Sequence, residues 1–261
     1  MGLLEGRKAL VFGVANDHSI AWGIAKAFHD EGAVVGFSSV ESLIDRRVRP
    51  LADSIGSTFV EPADLQSDEQ IRAVMAKWHD QQGDIDILVH AVAYAKREDL
   101  DGSFVDTSRD GFALALDVSA YSLVALTREA RPYLHRGSSV ITLTYYGAEK
   151  VVTHYNVMGV AKAALEASVR YLAADLGPDG IRVNAISAGP IRTLSAGGIA
   201  GFRKLHGPFN EVAPLRAHIT IEDVGRTALY LASDLSSAVT GEVVSVDGGF
   251  NILGVPSPAE V

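Results

Sequence analysis

The chain has 261 residues, 48% of them hydrophobic, and no cysteine, which excludes a disulfide framework, a thiolate metal site and a cysteine nucleophile. Lys and Arg number 23 against 32 Asp and Glu, a formal charge of −9, and this argues against a broad nucleic-acid surface, where a basic excess is expected. Length and apolar content suit one α/β domain over residues 1–261 with a large core.

The N-terminus, MGLLEGRKALVFGVA, carries Glu5, Arg7 and Lys8 before a short apolar run, unlike a signal peptide. Met1-Gly2 resembles a myristoylation start, but position 6 is Gly instead of Ser or Thr. No run approaches the roughly 20 apolar residues of a membrane helix, so the expectation is a soluble, cytoplasmic protein with no membrane contact and no bound metal.

In chain order, Lys8–Gly13 reads as a strand and Ile20–Glu31 as a helix, joined by a turn at Gly13. Gly13 lets backbone approach a pyrophosphate, Ile20 opens a helix whose N–H groups face it, and Ser19 can cap that helix. A second strand, Ala33–Ser38, runs into Ser38-Ser39-Val40-Glu41. An NADP site would want a basic residue there; none occurs before Arg46 and Arg47, and Glu41 would repel a 2′-phosphate, so NADH is favoured. A helical pattern over Ser42–Ile55 and a weaker strand over Thr58–Glu61 follow. Asp64-Leu65 could flank an adenine or form the N-cap region of the helix at Asp68–Gln82, and both readings stand.

The fourth strand, Ile85–Ala91, ends in His90-Ala91-Val92-Ala93-Tyr94, where small residues let a ribose approach; His90 reads as a core histidine. Next come a helical pattern over Asp110–Leu134 and a strand over Ser139–Thr144. Beyond it two Tyr–Lys pairs compete, Tyr146 with Lys150 and Tyr155 with Lys162, and either spacing puts both side chains on one helix face. A helix over Tyr155–Leu176, with an apolar stripe at Ala161, Ala163, Ala164, Leu165, Ala167 and Leu172, precedes a strand at Arg182–Ser187. Gly189–Pro214 is irregular and reads equally as a substrate lid or a surface insertion. A helix at Ile221–Ala232 and a strand at Glu242–Val246 close the pattern. Alternating strands and helices, with strands apolar on both faces, imply a single-domain Rossmann-like, doubly wound parallel sheet of about seven strands with helices on both faces.

GVANDHSIAWG, YNVMGVAK, NAISAGPIRTLSA and GEVVSVDGGF together resemble the NADH-linked enoyl-acyl carrier protein reductases of bacterial fatty-acid synthesis, within the short-chain dehydrogenase/reductase superfamily. The resemblance covers nearly the whole chain, and its Y-x6-K spacing differs from the Y-x3-K of most of the superfamily. It selects Tyr155 and Lys162 as catalytic, with Tyr145 as a second active-site tyrosine. Tyr146–Lys150 instead straddles Gly147 and meets the β-branched Val151-Val152-Thr153, which disfavours helix.

The implied reaction is hydride transfer from NADH to the β-carbon of a trans-2-enoyl thioester on acyl carrier protein, then protonation at the α-carbon. Tyr155 would donate to the thioester oxygen, and Lys162 would fix the cofactor ribose. By the same resemblance Ile191 and Thr193 hold the carboxamide, Val40 lies near the adenosine, and Ala95, Tyr145 and Tyr155 meet substrate. Gly13, Ser19, Ile20, Asp64, Leu65, Val92 and Lys162 complete the expected NAD site. The family commonly carries Gly where this chain has Ala93, and it is typically a homotetramer. Arg203 and Lys204, in GFRKLHG, match basic residues of the family and offer either a carrier docking patch or a solvated helix face. Two rivals remain: a short-chain reductase acting on a ketone or alcohol, and a non-catalytic NADH-binding regulator.

Overall fold

The structure is a computed structural model that describes residues 2–191, 209 and 211–254. Among them seven strands form one sheet: β1 (Lys8–Phe12), β2 (Val34–Ser39), β3 (Val60–Pro62), β4 (Ile85–His90), β5 (Leu134–Thr144), β6 (Arg182–Ala188) and β7 (Val243–Val246). Their order is β3-β2-β1-β4-β5-β6-β7, with every neighbouring pair parallel. The helices are α1 (Ile20–Asp30), α2 (Glu41–Leu43), α3 (Arg49–Ser54), α4 (Asp68–Gln82), α5 (Arg97–Leu100), α6 (Arg109–Leu116), α7 (Ser122–Ala130), α8 (Asn156–Leu176) and α9 (Ile221–Ala232).

Each strand feeds two cores because side chains alternate between the faces of a sheet. Ala9 and Val11 of β1 join Ile24 and Phe28 of α1 and Val224 of α9 on one face. Leu10 and Phe12 join Ile71 and Trp78 of α4, Leu126 of α7 and Leu165 of α8 on the other. The registers Phe12↔Ser38, Phe12↔His90, His90↔Thr142 and Thr144↔Ser187 bring the C-terminal ends of five strands to a common edge. Strand order reverses between β1 and β4, so that edge opens a crevice between them, where doubly wound sheets take their ligands.

Helix starts follow side-chain chemistry. Ser67 caps α4 by accepting from the Gln70 N–H, and Ser108 caps α6 by accepting from Gly111. Thr220 and Asp223 form a reciprocal capping box at α9. α1 and α9 cross at glycines, and a Cβ on Gly225 would stand 2.6 Å from the Gly23 carbonyl oxygen.

Two expected helices are interrupted. The pattern over Ser42–Ile55 becomes α2, a wide turn at Ile44–Val48 and α3, with Pro50 in the first turn of α3. That over Asp110–Leu134 becomes α6, a wide turn at Asp117–Tyr121, α7 and a tight turn at Arg131–Tyr133 containing Pro132. β5 consequently begins at Leu134, before the expected Ser139, and reaches back to pair with Ile85. The helical run Arg109–Tyr133 is long and apolar enough to cross a bilayer, against the expectation of no such run. Here its Leu123 and Leu126 are core residues, packed with α4 and α8. On α8 the buried stripe is Val157, Ala161, Leu165, Val169 and Ala173, whereas Ala163 is exposed and Leu172 half-buried.

Gly225→Ala should overpack the α1–α9 crossing and lower stability by about 1–3 kcal/mol. A lower urea midpoint with an unchanged slope would be the expected result, and an unchanged midpoint would show that the crossing has room.

Candidate active site

Gly13 ends β1 with φ 100, a conformation open to glycine, and its N–H donates to the Ser38 carbonyl at 3.0 Å. A Cβ there would run into the Ala91 carbonyl oxygen, with Val92 Cγ2 3.1 Å away. The bare glycine therefore lets the end of β1 close on the end of β4. Ser19 stands at the N-cap position of α1, but its side chain makes no cap bond; the hydroxyl donates instead to Asn16 O at 2.6 Å, bracing the turn. Capping by Ser19 is thus corrected to turn bracing. α1 begins just past this turn at Ile20, and the unbonded N–H groups at a helix start are the kind that receive an anion.

At the tip of β2, Ser38 Oγ is buried with no partner among the described residues, while Val40 is exposed. Asp64 turns the chain, its carboxylate accepting from the Gln66 N–H at 3.0 Å and its own N–H donating to Gln70 Oε1 at 3.0 Å. Its neighbour Leu65 is buried in the core beside α4. Ile191, just past β6, is buried in the core on the α1 side. Thr193, Arg203 and Lys204, and most of the expected lid at 189–214, lie outside the described residues.

Tyr155 and Lys162 are both buried, at 8% and 6% exposure. Tyr155, the expected first residue of the helix, is instead the N-cap of α8, which starts one residue later, and Lys162 lies two turns in. The lysine ammonium donates to the Leu143 carbonyl at 2.8 Å. Tyr145 follows β5 and packs edge-on against Tyr155, ring centroids 4.9 Å apart at 69°. Both tyrosines share an apolar cluster with Leu100, Ala115, Met158 and Ala95, so the three residues expected at substrate meet in one place. Gly147 makes this fit, since a Cβ on it would enter the Tyr155 ring.

The rival pair diverges. Tyr146 packs edge-on against Phe250 at 5.6 Å, and Lys150 is exposed.

Backbone strain brackets Tyr155: His154 and Asn156 hold φ of 65 and 40, which non-glycine residues seldom adopt. Asn156 Nδ2 donates to the carbonyls of Leu100 and Gly102 at 3.1 and 3.3 Å, anchoring the turn.

Burial sets the protonation of the site. It pushes Tyr145 up to about 12 and Tyr155 far above the usual phenol range, with Tyr145 and Glu166 adding to the latter. It draws Lys162 down to about 8, against the pull of Glu166. Both phenols are therefore hydrogen-bond donors at neutral pH.

His90 sits at the end of β4 with Nδ1 2.9 Å from Thr142 Oγ1 and Nε2 2.8 Å from Ser122 Oγ. The Ser122 hydroxyl donates to Val118 O, so Nε2–H donates to Ser122, while the Thr142 hydroxyl, which donates to the His90 carbonyl at 3.2 Å, lies against Nδ1. This satisfied, neutral ring is a core histidine, as its apolar strand suggested. Ser122, Thr142 and the Leu143 carbonyl were not signalled by the sequence, because only folding sets them against His90 and Lys162.

A glycine hinge at the reversal of a parallel sheet, with Tyr and Lys seven positions apart beneath the same edge, defines a nicotinamide-dependent reductase of the short-chain dehydrogenase/reductase class. A family model described as Enoyl-(Acyl carrier protein) reductase matches residues 13–251, and the chain belongs to that family. The enoyl-acyl-carrier-protein reductase (NADH) FabI of Aquifex aeolicus is 53% identical over 256 residues, spanning 98% of this chain and 95% of that protein. The crystal structure of the Bacillus cereus enoyl-acyl carrier protein reductase with NADP+ and indole naphthyridinone matches with a TM-score of 0.95 at 52% identity, over 98% of this chain and 100% of that one. The Anaplasma phagocytophilum reductase in complex with NAD matches at 0.94 and 47% identity, over 98% of each.

Burial, and secondarily Lys162, lowers His90 from 6.5 to about 3. A depressed pKa means that the unfolded chain binds the proton first as pH falls, so stability present above 6.5 is lost between there and about 3. The loss attributable to this ring is on the order of 5 kcal/mol. His90→Asn should flatten the acid limb of urea stability measured from pH 7 to 4, and an unaltered limb would assign acid lability elsewhere.

Proposed function

We propose that this chain reduces the trans-2 double bond of enoyl thioesters carried on acyl carrier protein, using NADH, as the last reductive step of fatty-acid elongation. What carries the reading is the meeting of Tyr145, Tyr155 and buried Lys162 beside the crevice of the sheet reversal. The residues suit a dinucleotide: a Cβ-free turn at Gly13, the start of α1, and the unpartnered Ser38 hydroxyl at the tip of β2. NADH, when bound, supplies the hydride.

The remaining chemistry falls to side chains. Tyr155, a weak acid in its apolar pocket, donates its O–H to the thioester oxygen as negative charge gathers there. Lys162, held by Leu143 O, has two further N–H groups to offer the cofactor ribose, and its charge favours the same oxyanion. Tyr145 shapes the acyl side of the pocket with Ala95 and Met158. Val40, Ile191 and Thr193 are assigned to the cofactor by resemblance, and Asp64, Leu65 and Val92 by their places at the ends of β3 and β4. For Leu65 and Ile191 the support is indirect, since their side chains lie in the core.

The absence of a basic residue beside Ser39 and Val40 supports NADH over NADPH. Arg203 and Lys204 are proposed as the docking patch that an acidic carrier needs on a chain of charge −9. A cytoplasmic homotetramer is the proposed working form, which light scattering would test. The ketone-reductase rival would show an active-site Ser and a shorter Tyr–Lys spacing, whereas Ser138 and Ser139 stand at the start of the strand and Thr144-Tyr145 at its end, and retention of Tyr145, Tyr155 and Lys162 argues against the regulator.

NADH oxidation measured with crotonyl thioester beside a 3-oxoacyl thioester tests the reading, and activity confined to the 3-oxo substrate would overturn it. Tyr155→Phe and Lys162→Ala should each lower turnover by about 10²–10³-fold. Tyr146→Phe and Lys150→Ala should leave it nearly intact, and Tyr145→Phe should fall between. Arg203→Glu with Lys204→Glu should slow carrier-bound substrate, more at low salt, while sparing a short coenzyme A thioester. Equal losses on both substrates would remove the docking role.

A further inference from the structure

Glu166 is a buried carboxylate one helical turn beyond Lys162, on the same side of α8, and no step above uses it. Among the described residues the buried carboxylates are Asp99, Glu166 and Asp247. Asp99 is engaged by the Ser108 N–H at 2.8 Å, and Asp247 by the N–H groups of Gly249 and Asn251 at 3.0 and 2.8 Å. Glu166 instead accepts from the Thr144 hydroxyl at 2.6 Å. Thr144 is the last residue of β5, directly between Leu143, whose carbonyl receives the Lys162 ammonium, and Tyr145. α8 is thus tied to the end of β5 by two adjacent bonds, one from the lysine and one to the glutamate.

We propose that Glu166, anchored by Thr144, is a positioning residue of the reductase site: its carboxylate holds the Lys162 ammonium charged and α8 in register with the end of β5. This rests on the role given to Lys162 above. An isolated buried ammonium loses its hydration, and one carbonyl replaces only part of it; a carboxylate one turn along the same helix face, beyond ion-pair distance, adds through-space attraction. The other groups around the pair do not do so. His90 of β4 is neutral and bonded to Ser122 and Thr142. Tyr145 and Tyr155 are un-ionised. Glu149, in the turn after β5, and Arg170, on α8, act on Glu166 in opposite senses. Burial raises the Glu166 carboxyl, while the Thr144 hydroxyl, Arg170 and Lys162 pull it back toward the charged form.

NADH binding to the full-length protein, followed by nucleotide fluorescence from pH 6 to 10, reads the charge of Lys162 without turnover. Wild-type affinity should fall as pH rises through about 8, where burial has placed the lysine. Glu166→Gln removes the opposing charge, so the lysine should discharge earlier and the fall should move to lower pH by about one unit. At pH 6 the variant should bind within about threefold of wild type, since the lysine is charged in both. A fall at the wild-type pH, or a uniform loss at every pH, would overturn the proposal and leave Glu166 a packing residue. Thr144→Val should move the fall in the same direction and Thr144→Ser should restore it, which keeps the test available if Glu166→Gln misfolds. Enoyl turnover by the wild type separates the two readings: turnover with an unmoved fall overturns the Glu166 role alone. Absence of both NADH binding and turnover in the wild type would overturn the reductase reading, and this inference with it.

Discussion

A lysine ammonium held under the end of a β-strand is the constraint around which the site is organised. Lys162 is buried, and a buried charge persists only when its hydration is replaced. Part of that replacement is a backbone carbonyl, that of Leu143, and a backbone carbonyl is free to turn inward only where a strand is ending. So β5 must stop at Thr144, α8 must cross beneath that stop, and Tyr145 and Tyr155 are thereby forced together as the residues that leave one element and enter the other. The tyrosines need no polar anchoring of their own, because the ammonium fixes the spacing between the elements that carry them.

The turn that delivers Tyr155 reaches the same end by strain. His154 and Asn156 occupy left-handed backbone on either side of the tyrosine, each costing on the order of 1 kcal/mol or more. The bonds from Asn156 to Leu100 and Gly102, and the Tyr155 ring seated on Gly147, offset that cost. A relaxed turn would start the helix elsewhere and rotate Tyr155 away from Tyr145.

Much of this was legible in the sequence, and for local reasons. Alternating short apolar runs and amphipathic segments report a covered parallel sheet whatever the details, and α4 and α9 begin and end at the expected residues because Ser67 and Thr220 cap them in sequence. Tyr155 could be preferred to Tyr146 because Gly147 and the β-branched Val151-Val152-Thr153 disfavour a long helix around Lys150, and the structure forms only a tight turn at Tyr146–Ala148. What stayed hidden depends on contacts between distant segments. The breaks at Asp117–Tyr121 and Ile44–Val48 are tertiary adjustments inside good helix-forming sequence. The first serves the site, since its Ser119 accepts from the Tyr94 N–H and donates to the Tyr94 carbonyl, pinning the loop after β4. Thr144 and Glu166 are 22 positions apart, and nothing in either segment announces the other.

The sheet's outer strand beyond β2 is β3, three residues long and ended by Pro62. Proline has no N–H to present, and Glu61 beside it is paired with Lys77 of α4. An unpaired strand edge is otherwise a template on which another chain can add and aggregate. Here the template is too short, lacks a donor at its end and carries charge, so this edge of the sheet is guarded against misassembly without another strand to cover it among the described residues.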